Sequence, residues 1–112
     1  EQYRTGKAAE TPKFLEIEIV VARLGDVGYV GMPFEPFVCI GLNIKRETPL
    51  PCVLTCGYTD GHYGYIPDST ACNDREYMAG NFRYSRTRPP YRAPGGDAVG
   101  EVAVPVLKEF SK

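Results

Sequence analysis

An α+β fold, a small mixed sheet that starts with a β-hairpin and carries helices packed on it, is predicted by three features of this 112-residue sequence. The first is the alternation in FLEIEIVVAR, residues 14 to 23, which sets Leu15, Ile17, Ile19 and Val21 on one face and Glu16 and Glu18 on the other. The second is an amphipathic stretch near the C-terminus with apolar residues at helical spacing. The third is the order of elements, which reads strand, strand, helix, strand, helix.

Gly25-Asp26 breaks the first strand, and VGYVGM, residues 27 to 32, returns as the second arm of a hairpin. The next stretch, PFEPFVCIGLNIKRETP, fits two periods. Val38, Ile40, Leu42 and Ile44 alternate like a strand, whereas Phe37, Ile40, Gly41 and Ile44 share a helical face. Pro36 suits a first turn, Lys45 and Arg46 suit a last turn, and Pro49 ends the element, so the sequence predicts a helix. CVLTCGY, residues 52 to 58, is a short apolar strand that delivers the chain into TDGHYGYIPD. STACNDREYMAG is read as a short helix, and NFRYSRTRPPYRAPGG as an irregular arm. The last helix is expected to start at Gly96 or Asp97 and to bury Val99, Val102, Ala103, Val106, Leu107 and Phe110. Pro105 inside it predicts a kink or a late start. So few strands for this apolar content predict exposed edges or a missing partner.

The chain is one domain's worth of sequence, or a fragment of a larger α/β enzyme domain, with residues 1–13 a polar leader and residues 14–112 the folded segment. A net charge of −1 argues against a field that draws in nucleic acid or an anionic membrane. No apolar run reaches the roughly 20 residues that span a bilayer, so no transmembrane segment is expected. The polar start lacks the apolar centre of a secretory signal, and it opens on Glu rather than Met, as a processed product or a piece of a longer chain would. The four cysteines, Cys39, Cys52, Cys56 and Cys72, contain no CxxC pair and are expected to pack as buried free thiols.

Three places carry chemistry. Glu35 stands between two prolines at a strand-to-helix junction, where a carboxylate faces the positive end of a helix dipole; the plainer alternative is an N-cap. His62, the only histidine, lies in a turn beyond a strand end, where scaffolds present functional groups; the plainer alternative is a solvated turn residue. Arg83 to Arg92, RYSRTRPPYR, interleaves guanidiniums with Tyr84 and Tyr91 as a single-stranded nucleic-acid binder would, but the net charge favours a solvated arm. No phosphate-binding glycine loop, nucleophile elbow or histidine pair is present.

From about Thr11 onward the chain resembles the C-terminal part of the catalytic region of the neutral/alkaline non-lysosomal ceramidase family, including its uncharacterised bacterial relatives. GMPFEPFVCIGLNIKRETP resembles the family's Pro-Gly-Glu segment and the helix after it, with counterparts for Lys45 and Arg46. GYTDGHYGYIP resembles the stretch where a small turn precedes an aromatic, Gly, Tyr and a Pro or Thr. APGGDAVGEVAVPVLKEF resembles the closing helix with its Gly-Glu pair, here Gly100-Glu101.

The resemblance implies a zinc-dependent amidase that hydrolyses the N-acyl bond of a ceramide-like lipid amide. In the family, zinc is held by two histidines from earlier in the chain, a glutamate and a tyrosine. The glutamate falls on Glu35. The tyrosine position falls on His62, with Tyr63 the alternative, so an imidazole replaces a phenolate. Tyr65 is a candidate wall or hydrogen-bond donor for the substrate. Phe34 replaces the glycine before the glutamate, and the region with the two histidines has no counterpart here. Two ligands make half a zinc site, so the chain is expected to be inactive alone and to need the missing N-terminal region of a longer chain, or another copy, as its partner. A non-catalytic binding or assembly domain of the same lineage is the alternative.

Overall fold

The computed structural model describes residues 16–70 and 95–112. Strands β1 (Val20–Leu24) and β2 (Val27–Gly31) form the expected hairpin, paired antiparallel from Val20↔Gly31 to Leu24↔Val27. Its two-residue turn needs a left-handed first residue, which Gly25 supplies at φ 58°. The alternation had placed Ile17, Ile19 and Val21 on the inner face, and all three pack against the core. The strand itself starts at Val20, later than expected. Beyond Gly31 the chain turns away through Pro33, leaving residues 16–19 with no β2 residue to pair.

After β2 come a two-residue strand, β3 (Glu35–Pro36), and helix α1 (Val38–Glu47). Ile40 and Ile44, one turn apart, bury the inner face of α1, and Lys45 and Arg46 occupy its last turn as expected. Phe37 is the N-cap residue, with no side-chain cap hydrogen bond, so the capping alternative for Glu35 does not apply. Strand β4 (Cys52–Cys56) returns parallel to β2, in register from Val27↔Cys52 to Gly31↔Cys56, which makes α1 the crossover helix of a β-α-β unit. Strand β5 (Tyr65–Ile66) pairs parallel with β3, Glu35 opposite Tyr65. The two sheets are therefore β1-β2-β4 and β3-β5. Among the described residues, an α+β arrangement of a small mixed sheet and two helices results.

Helix α2 (Gly96–Phe110) begins where the sequence places it and runs through Pro105 without the late start. Its buried stripe is Gly96, Val99, Ala103, Val104 and Leu107; Val102, Val106 and Phe110, expected inside, are partly or largely exposed. A helix with apolar residues on more than one side leaves the choice of inner face to its neighbours, here α1 and β1. The Arg23 guanidinium donates to the Phe110 carbonyl, placing a cation at the C-terminal end of α2.

The core is Val30, Met32, Phe34, Ile40, Ile44, Leu50, Val53, Ile66, Val99, Ala103, Val104 and Leu107. It lies between one face of the three-stranded sheet and the two helices. The opposite face carries Leu24, 86% exposed, and Leu54, 51% exposed, in the alternate positions. Cys52 is exposed and Cys39 and Cys56 are half-buried, all three free thiols, so the expectation of buried thiols fails for them. Cys52 and Cys56 sit at the parity of Leu54 on β4, away from the core. Cys72, most of the short helix expected over residues 69–80, and the arginine-tyrosine arm lie outside the described residues.

Candidate metal-binding pair

The segment from Gly57 to Gly64 is zipped backbone to backbone onto residues 32–35. Tyr58 N–H donates to Phe34 O at 3.0 Å, Thr59 N–H to Met32 O at 3.0 Å, and Tyr63 N–H to Pro33 O at 2.8 Å. Glu35 N–H donates to Gly64 O at 3.0 Å, which closes the zipper beside the β3-β5 pairing. Gly57 allows the close approach. A Cβ on it would lie 2.6 Å from Phe34 O and 2.8 Å from Pro36 Cδ.

This zipper brings the two sequence candidates together. His62 Nε2 lies 2.7 Å from Glu35 Oε1, at a rim where the His62 side chain is 52% exposed and that of Glu35 25%. The Tyr58 ring stacks on the imidazole, with centroids 5.1 Å apart and planes 14° from parallel. After the His62 hydrogen bond, the phenols of Tyr58 and Tyr65 also favour the charged form of the Glu35 carboxyl. The His62 hydrogen bond, ahead of those from Tyr58 and Tyr65, holds the Glu35 carboxyl below its ordinary value against an opposing desolvation. Partial desolvation, then the adjacent Glu35 carboxylate, pushes the Tyr58 phenol above its ordinary value.

Tyr63, the alternative ligand, places its ring against Phe34, with centroids 5.7 Å apart, and packs on the core. Tyr65 stands opposite Glu35 in register and also meets Phe37 edge-on at 6.3 Å. Sequence reasoning missed Tyr58, which it read only as the end of a strand. The signal lay in its spacing of four from His62 across Asp60-Gly61, a turn that folds the two rings together. Tyr58 and Asp60 both occupy left-handed backbone, at φ 55° and 54°. Asp tolerates that region; for a bulky Tyr it is uncommon.

A carboxylate oxygen and an imidazole nitrogen are donor types that zinc accepts. Among the described residues no group of three or more His, Cys, Asp or Glu side chains is placed to hold a metal. Likewise, no helix among the described residues is long and apolar enough to cross a membrane. Comparison with protein-family models, curated proteins and solved structures gives no match.

Proposed function

We propose that this chain supplies the Glu35–His62 half of a zinc centre for hydrolysis of an N-acyl bond in a ceramide-like amide, with the remaining ligands coming from another region of a longer chain or from a second copy. The observation that carries this reading is the 2.7 Å contact between Glu35 and the lone His62, two residues that are 27 apart in the sequence and that meet at an accessible rim. A cation bound between the two would take the place of the hydrogen bond they now share. Bound zinc would lower the pKa of a water and polarise the amide carbonyl.

The chain's own residues have separate tasks. Glu35 contributes negative charge, and its strand pairing with Tyr65 fixes its backbone. His62 would contribute a neutral imidazole nitrogen in the tautomer that carries its proton on the other ring nitrogen. The phenols of Tyr58 and Tyr65 supply donors next to the carboxylate, where an amide oxygen of a substrate can be oriented. Calorimetric titration with zinc tests the reading. One site is expected, weakened at least about 10-fold in Glu35→Gln and in His62→Ala; equal affinity in all three proteins contradicts it. The chain alone should not turn over a short-chain N-acyl amide, because a hydrolytic site ordinarily has three protein ligands.

A second reading, a non-catalytic assembly domain of the same lineage, draws support from the bare apolar sheet face around Leu24 and Leu54. On that reading zinc would not bind, and Leu54→Glu would abolish a self-association seen by sedimentation equilibrium.

A further inference from the structure

An exposed hydrogen-bonded pair of flexible side chains holds its geometry poorly, because fixing both side chains has an entropic cost and water competes for them. Glu35 and His62 form such a pair, with the imidazole more than half exposed. Something else must hold them in register. Tyr58 touches both sides. Its N–H donates to the Phe34 carbonyl at 3.0 Å, which ties its backbone to the residue before Glu35. Its ring lies nearly parallel to the imidazole, 5.1 Å away. Tyr58 does this from a left-handed backbone conformation, φ 55°, in which a bulky side chain persists only when its surroundings over-determine it.

We propose that Tyr58 is a positioning residue that, through its ring stack on His62 and its backbone bond beside Glu35, sets the orientation of the imidazole relative to the carboxylate. The ring offers a flat wall that limits rotation of the imidazole and leaves its edge free to meet Glu35. Tyr58 is itself 61% exposed, so it contributes little to the core, and its removal should loosen the site while sparing the fold. This role deepens the metal reading above and rests on it only for the zinc part of the test.

The chain has one histidine, so its ring resonances in an NMR spectrum belong to His62 alone. The metal-free protein is compared with Tyr58→Phe, which keeps the stack, and Tyr58→Gly, which removes the ring and accommodates the backbone. In the wild type and Tyr58→Phe, stacking should hold the His62 ring protons upfield. Tyr58→Gly should return them to the positions of a free imidazole while the thermal midpoint stays unchanged. A side chain with a merely structural role would move the midpoint and the site together. Zinc titrated into the same samples should bind Tyr58→Gly about 10-fold more weakly than wild type. If the ring protons of Tyr58→Gly match those of the wild type, the proposal is overturned. If they shift but neither protein binds zinc, the positioning role stands and the metal reading falls.

Discussion

Glu35 shows how a single side chain converts local geometry into a measurable pH dependence. Its carboxyl is held below its ordinary value chiefly by the His62 hydrogen bond, so the folded state favours its ionised form. A depressed folded value contributes stability that is fully present above the ordinary glutamate value, about 4.3, and is lost as pH falls through the lower one. Urea midpoints of the wild type should therefore exceed those of Glu35→Gln above that value and converge with them in more acidic buffer. A gap that persists into strong acid would show that the carboxylate acts through something other than its charge. Both residues were visible in the sequence, one for its two flanking prolines and the other as the lone histidine. Tyr58 was hidden, because its role depends on a left-handed turn that stacks residues four apart, and no periodic pattern announces such a turn.

Elements add constraints that residues alone do not show. Gly57 lies where the β4 chain end crosses β3, and a methyl group there would press on Phe34 O and Pro36 Cδ. Gly57→Ala is expected to cost about 1–3 kcal/mol in chemical denaturation and to separate His62 from Glu35. Along α2 the inner stripe is defined by Leu107, which is fully buried. Leu107→Ala should cost roughly 2–5 kcal/mol, whereas Val102→Ala, at a position 56% exposed, should change stability by less than about 0.5 kcal/mol. The reverse ranking would mean that α2 packs by its other face. Pro105 has no N–H for the helix ladder and sits on the exposed side, so Pro105→Ala should raise stability by up to about 3 kcal/mol. The start of α2 was legible from its spacing; its inner face was not, since valines at several angles fit a stripe equally well until α1 and β1 select one. The short strands β3 and β5 carry no pattern of their own, because two residues cannot show a period.

At the scale of the whole molecule, the β-α-β unit places the Gly57 to Gly64 segment at the C-terminal end of β4, beside the turn that leaves β2. Those are the positions where parallel strands present their loops to ligands. The hairpin, the crossover helix and the closing helix were all readable from periodicity and breakers. The convergence of Glu35 and Tyr65 was not, because it comes from a register that only the folded pairing fixes. Among the described residues, one face of the sheet is covered by helices and the other exposes Leu24 and Leu54. The central claim is that Glu35 and His62 are ligands to one zinc ion. X-ray absorption at the zinc edge of the zinc-loaded protein tests it most directly. One imidazole and oxygen neighbours at about 2.0–2.2 Å are expected, with the imidazole signal gone in His62→Ala. A shell dominated by sulfur at about 2.3 Å would place the metal on the free cysteines, and a shell without imidazole would leave Glu35 and His62 as a hydrogen-bonded pair alone.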